Sequence, residues 1–296
     1  MVKLSGIFPP IPTTFDQDGN LAPEKLQNNL TRLSDFGLAG FLILGSNGEM
    51  VMLSEAERRA VLTAAREAIP SDKLMLAGTG MQSTRETIAA TRVAAEAGAD
   101  AALVLNPSYF KGEMTREALV RHYHAVADAA SIPIMIYNMP ACSGLDMDAA
   151  TIVEISQHVN IIGIKDSGGN IGKMSSVIRS ASGDFQFLVG SANVLLPALT
   201  VGAVGGILAL ANIAPSQCLA IHDFCLKGDL DRARVMQQKM IPVNEAVTTN
   251  GGVPALKAAM DHLGLYGGPA RLPLLPLSDQ HRESLRAFLA ENEITL

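Results

Sequence analysis

Lys165 ends the apolar run Ile161-Ile162-Gly163-Ile164 and is followed by Asp166-Ser167-Gly168-Gly169, which puts a single amine where a buried strand breaks into a turn. Burial strips water from an ammonium, favours the neutral amine and frees a lone pair for attack on a carbonyl carbon. A strand-end lysine can equally snorkel to solvent, and that is the expectation for the remaining lysines. Lys25, Lys173, Lys227, Lys239 and Lys257 fall in helix-like segments, Lys3 and Lys73 precede strands, and Lys111 follows Phe110 in a loop. Tyr137, one of four tyrosines, ends another apolar run, where a phenol beside a desolvated amine can move protons or can simply pack as a ring with one satisfied hydroxyl. Gly45-Ser46-Asn47-Gly48 can aim successive amide N–H groups and two polar side chains at an anion, or can be an ordinary strand-to-helix turn. Other chemistries fit less well. None of the six histidines stands at the carboxyl end of an apolar run, and His122 and His124 point to different faces of a helix-like segment, so no metal site is expected. There is no Gly-x-Ser-x-Gly elbow, and no cysteine has a convincing histidine partner. An amine, a phenol and a carboxylate-binding turn suit imine chemistry on an α-keto acid.

Those groups must be held by a scaffold, and the sequence suggests which. Eight short apolar, β-branched runs are strand candidates: Gly6–Phe8, Gly40–Leu44, Leu74–Ala77, Ala102–Leu105, Ile134–Tyr137, Ile161–Lys165, Phe187–Val189 and Gly206–Leu210. Longer amphipathic segments between them carry helix-start signals, namely Pro23 and Pro215 at first-turn positions and the capping boxes Ser54-x-x-Glu57 and Ser83-x-x-Glu86. Near-continuous apolar strands are expected where helices cover both faces of a parallel sheet, and eight strand–helix units in series predict a (β/α)8 TIM barrel. A doubly wound open sheet is the alternative, but no Gly-x-Gly-x-x-Gly follows the first strand. The barrel is expected to occupy residues 1–226 and carry the active site. Residues 227–296 then form a C-terminal extension of three helices, roughly Leu230–Val247, Val253–Leu263 and Ser278–Glu291, packed on the barrel. Catalytic groups in such barrels stand at the carboxyl ends of strands, which is where Ser46, Tyr109, Tyr137, Lys165, Ser167, Gly190 and Ile207 fall.

Composition narrows the partners. In 296 residues, 48% hydrophobic content suffices for a large core, and a net charge of −6 argues against nucleic acid or an anionic membrane surface. The uncharged stretch from Phe185 to Ile221 raises the question of a membrane span, but Pro197, Gly202, Gly205 and Gly206 interrupt it, so two buried strands around a short helix are expected instead. The N-terminus lacks the apolar core and cleavage site of a secretory signal. Three cysteines without metal-ligand spacing read as reduced thiols, and a cytoplasmic location is the expectation.

The motifs Gly45-Ser-Asn-Gly-Glu49, Tyr137-Asn-Met-Pro140 and Ile164-Lys-Asp-Ser-Gly-Gly169, at their mutual spacing, resemble those of the dihydrodipicolinate synthase / N-acetylneuraminate lyase family of pyruvate-dependent class I aldolases. The resemblance covers essentially the whole chain. With Gly202-Ala-Val-Gly-Gly206 and Tyr266-Gly-Gly-Pro269 it is strongest towards the 4-hydroxy-2-oxoglutarate aldolase branch. It implies that Lys165 forms the Schiff base, that Tyr137 moves protons to and from the carbinolamine and the 4-hydroxyl, and that Ser46 relays protons towards Tyr109 of a neighbouring subunit. It further implies that Ser46 and Asn47 bind a carboxylate, that Ser167 and Gly190 line the rest of the substrate site, and that Ile207 lies near the imine. No cofactor is implied, pyruvate is the small-molecule partner, and the assembly is a homotetramer built from two dimers. Two departures from the synthase stand out. Cys142 occupies the place of an arginine that holds the distal carboxylate of aspartate semialdehyde, and Ser108 replaces a tyrosine before Tyr109. The lysine-biosynthetic condensation is therefore the second expectation, beside an aldolase or dehydratase for another 2-keto-3-deoxy acid. A keto-acid sensor without turnover is the alternative of another class.

Overall fold

The computed structural model describes residues 2–296. Eight parallel strands run β1 Gly6–Phe8, β2 Gly40–Ile43, β3 Leu74–Gly78, β4 Ala101–Leu105, β5 Ile134–Asn138, β6 Ile161–Asp166, β7 Gln186–Val189 and β8 Gly205–Ile207. Their spatial order is β1-β8-β7-β6-β5-β4-β3-β2, a barrel with helices outside it. The seam between β1 and β2 is laced by Ala39 N–H to Ile7 O, Leu42 N–H to Pro9 O and Ile11 N–H to Leu42 O rather than by a full ladder. The reason is local: Pro9 and Pro10 follow β1 and have no N–H to donate. All residues of β2, β5 and β6 are buried, as strands enclosed on both faces should be.

The helices in chain order are α1 Pro23–Ser34, α2 Glu55–Ala68, α3 Thr84–Glu96, α4 Arg116–Ala129, α5 Pro140–Ser143, α6 Ala149–Ile155, α7 Ile171–Ser180, α8 Leu195–Thr200, α9 Pro215–Leu226, α10 Leu230–Val247, α11 Gly252–His262 and α12 Asp279–Glu291. Pro23 and Pro215 open α1 and α9 as expected. The Ser54–Glu57 capping box forms in both directions, whereas Ser83 only accepts the Glu86 N–H, without the return bond. The stretch Phe185–Ile221 is β7, α8, β8 and the start of α9, and among the described residues no helix is long and apolar enough to cross a membrane.

Two expectations need correction. The eighth strand ends at Ile207 instead of Leu210, because Ala209–Asn212 curl into a 3-10 turn that Asn212 closes by donating to the Ala209 and Pro10 carbonyls. Lys173 and Lys257 are not solvent-facing: their side chains are 9% and 1% exposed and pair with buried carboxylates. The extension α10–α12 is stitched to the barrel by buried polar clasps. Gln237 accepts from Leu196 N–H and donates to Ala192 O, Asn29 exchanges two hydrogen bonds with the Tyr266 backbone, and the Tyr266 hydroxyl donates to Phe15 O.

One clasp is charged. Arg271 donates to Glu57 Oε1 at 2.6 Å and to the Met52 and Gly19 carbonyls, tying the chain beyond α11 to the start of α2. The Arg271 guanidinium, helped by the Ser54 N–H, holds the Glu57 carboxyl down at about 2 from 4.5. A carboxyl depressed on folding contributes stability that is complete above its unfolded value and lost as pH falls through its folded value. Glu57→Gln should therefore melt below wild type at neutral pH, by an amount small enough to suit a partly exposed pair. The gap should close as pH is lowered from 4.5 to about 2, as followed by thermal melts monitored by circular dichroism.

Candidate active site

Pairing register puts the amine and the phenol side by side. Tyr137 on β5 is the Cα partner of Lys165 on β6, and Lys165 is in turn the partner of Leu188 on β7, so all three face the barrel interior. A register shift at Ile134/Met135 sets that alignment. The Lys165 Nζ lies 4.2 Å from the centre of the Tyr137 ring, and both residues are 4% exposed. Beneath them Leu42, Leu103, Met135 and Leu188 fill the barrel, leaving the amine only the carboxyl rim to face.

At that rim the Tyr137 hydroxyl and Ser46 Oγ are 3.2 Å apart. Ser46 opens a 3-10 turn, Ser46–Gly48, directly after β2, and the Thr13 hydroxyl anchors the turn by donating to Gly48 O at 2.6 Å. Ser46, Asn47, Tyr137, Lys165, Ser167, Gly190 and Ile207 all line one cavity of about 400 Å³. Gly190 allows the closest approach in it: a Cβ there would stand 1.9 Å from Ser167 Oγ and 3.1 Å from Lys165 Cε. Tyr109 does not join this group within the subunit. It sits in the loop after β4, 80% exposed, with its ring edge-on to the exposed Phe110. A second cavity, of about 280 Å³, lies across the Ser46–Tyr137 pair and shares Cys142 with the first.

A charged lock behind the site was not anticipated. Asp166, fully buried next to Lys165, accepts from Gly168 N–H at 2.6 Å and from Asn138 Nδ2 at 3.2 Å, and pairs with Lys173 at 3.0 Å. Asn138 and Lys173 also reach Asp146, each donating to its Oδ1, and hold that carboxyl below its usual range although burial opposes the shift. This fixes the loops after β5 and β6, so Asp166 orients the strand end rather than facing substrate. The adjacency of Asp166 to Lys165 was visible in the sequence, but its inward direction was not.

The extension was also more involved than expected. Asn244, Val247, Thr248, Thr249, Gly252 and Val253, from the end of α10 and the start of α11, line the same cavity as the Ser46–Asn47 turn. Lys165 is the one charged residue among the described residues that line it. No group of three or more His, Cys, Asp or Glu side chains converges as a metal ligand set among the described residues. Cys142 is exposed, and burial pushes the Cys218 thiol up to about 12.

Residues 3–292 match the Dihydrodipicolinate synthetase family. The chain is 34% identical over 287 residues to a 4-hydroxy-tetrahydrodipicolinate synthase of Methanothrix thermoacetophila, covering 97% of this chain and 96% of the relative. It is 35% identical over 292 residues, 97% of this chain and 94% of the relative, to a protein of Emericella nidulans named "Probable 4-hydroxy-2-oxoglutarate aldolase, mitochondrial". In structure it is similar to a prophage protein of the dihydrodipicolinic acid synthase family from E. coli K12, solved in complex with pyruvate. The TM-score is 0.92 at 30% identity, over 99% of this chain and all of the other. With a buried lysine and a tyrosine meeting at the carboxyl rim of its barrel, the chain belongs to the dihydrodipicolinate synthetase family of pyruvate-dependent, Schiff-base-forming lyases.

Proposed function

We propose that this protein cleaves 4-hydroxy-2-oxoglutarate to pyruvate and glyoxylate through an imine on Lys165. The observation that carries the reading is the contact of the buried Lys165 amine with Tyr137, whose hydroxyl meets Ser46 in the same cavity. The neutral amine adds to the keto carbon, and Tyr137 passes protons while the carbinolamine loses water. The resulting iminium is an electron sink. When Tyr137 removes the proton of the 4-hydroxyl, the C3–C4 bond breaks, its electrons form an enamine, and glyoxylate leaves. Protonation of the enamine at C3 and hydrolysis of the imine then release pyruvate and restore the amine. The Ser46–Asn47 turn holds the substrate's C1 carboxylate, and Ser167 faces its remaining groups.

The lining of the cavity favours this substrate over aspartate semialdehyde. Cys142 stands where the synthases use an arginine, and a thiol offers no charged, bidentate grip on a distal carboxylate. The second carboxylate of 4-hydroxy-2-oxoglutarate is bonded to C4, at the bond being cleaved, and the cavity lining would offer it neutral hydroxyl and amide donors. A second reading, 4-hydroxy-tetrahydrodipicolinate synthase, is favoured by the full-length similarity to relatives bearing that name. The hydroxyls of Ser167, Ser191, Thr248 and Thr249 would also suit the tail of a 2-keto-3-deoxy sugar acid.

Comparison of kcat/KM on 4-hydroxy-2-oxoglutarate, on pyruvate plus aspartate semialdehyde, and on sugar-derived 2-keto-3-deoxy acids tests the ranking. The first should be highest, and preference for the second would make the protein a synthase. Borohydride with pyruvate should add a reduced pyruvyl group to Lys165, seen by peptide mass spectrometry and absent from Lys165→Ala. A wild-type protein that gains none would be a non-covalent binder. Tyr137→Phe keeps the ring beside the amine and removes the hydroxyl, so kcat should fall about 10²–10⁴-fold, and a nearly silent change would remove Tyr137 from proton transfer. Gly190→Ala pushes a methyl into Ser167 and Lys165, so imine trapping should slow while the melting temperature changes little; trapping at the wild-type rate would show that this close packing is immaterial.

A further inference from the structure

Glu49, the last residue of the Gly45–Glu49 motif, has no role in the chemistry above, yet it is held in an unusual way. It adopts a left-handed backbone conformation, φ 54° and ψ 30°, between two 3-10 turns, and is 2% exposed. For a residue with a side chain this conformation is strained and persists only when its surroundings impose it. What imposes it comes from the far end of the chain. Lys257 Nζ on α11 lies 2.5 Å from Glu49 Oε1, with both side chains 1% exposed, and the Arg271 N–H donates to Glu49 Oε2 at 2.7 Å. Lys257 also donates to Pro269 O at 2.8 Å, and its ammonium sits 4.6 Å from the centre of the Phe15 ring, with the Arg271 guanidinium 4.3 Å from the same ring. Burial pushes the Lys257 ammonium below its usual value even with a carboxylate beside it.

A buried ion pair of this kind adds little net stability, since desolvation offsets most of the attraction. What it does fix is distance. Glu49 lies two residues beyond Asn47 and Lys257 lies four residues beyond Val253, and both Asn47 and Val253 line the cavity, so the pair joins the two segments just behind its wall. We propose that the Glu49–Lys257 pair is a strut between the barrel rim and the C-terminal extension that positions the Ser46–Asn47 turn for the substrate carboxylate. This deepens the reading of Lys165 as an imine-forming lysine and rests on it. Both members are positioning residues, since neither lines the cavity.

The test uses Glu49→Gln, Lys257→Met and the double variant, which leaves no unpaired buried charge. Borohydride trapping on the full-length protein is titrated with pyruvate and read by intact mass, with circular dichroism melts in parallel. Half-saturating pyruvate should rise about tenfold or more in each folded variant, as expected when a binding turn is displaced, while the maximal trapped fraction stays at the wild-type level. With acetone, which presents a carbonyl but no carboxylate, wild type and variants should trap alike. If the single variants fail to fold, the double variant decides. Wild-type half-saturation in the double variant, a loss confined to the maximum, a parallel loss with acetone, or failure of all three variants to fold would each overturn the strut. A wild-type protein that traps no pyruvate would instead sink the imine reading itself, and the strut's role with it.

Discussion

The parallel ladder between β5 and β6 is the constraint on which the site depends. Because successive side chains alternate between faces, a slip of one residue would turn Lys165 out of the barrel while Tyr137 stayed inside. The shift at Ile134/Met135 absorbs one extra residue low in β6, and from there the ladder runs in register up to Asn138 and Asp166. Everything that gives the amine its chemical character follows: the apolar floor below it, the phenol ring at its side and the opening at the rim.

Above the ladder, charge is used as structure. Asp166, Asp146 and Lys173 clamp the loops behind the amine, and Glu49 and Lys257 pair between the loop after β2 and α11. In both places the carboxylates face amide or ammonium donors, and none of them lines the cavity. The cavity itself is lined by hydroxyls, amides and apolar groups around Lys165. Ion pairs that hold the frame are thus kept apart from the groups that line the cavity, among which Lys165 is the one amine.

Much of this was legible in the residues. Runs such as Ile161–Ile164 and Ile134–Tyr137 are strands because both of their faces are covered, and continuous apolar sequence reports that directly. The rim rule then singled out Ser46, Tyr137, Lys165, Ser167, Gly190 and Ile207, which the fold does bring around one cavity. Direction and distant partners were not legible. Lys257 in Val253-Pro-Ala-Leu-Lys-Ala-Ala reads as the polar face of an amphipathic helix, since a lone lysine is normally in water and its carboxylate is near the other end of the chain. Gly206–Leu210 has the composition of a strand, yet Asn212 bends its second half into a turn by bonding to Pro10, a contact no local pattern carries. The rim rule and the family likeness both point to Tyr109, yet within one subunit it stands outside the cavity.

Pro9 and Pro10 withhold amide donors from the seam where the first and last strands of the sheet order meet, and Pro10 also lines the cavity. The barrel is thus closed there by three backbone hydrogen bonds, whereas the opposite half of the wall, carrying the amine, is held by longer ladders. That seam takes no part in the joint that aligns Tyr137 with Lys165. The closure of the barrel and the alignment of its buried amine are therefore set at opposite sides of the wall.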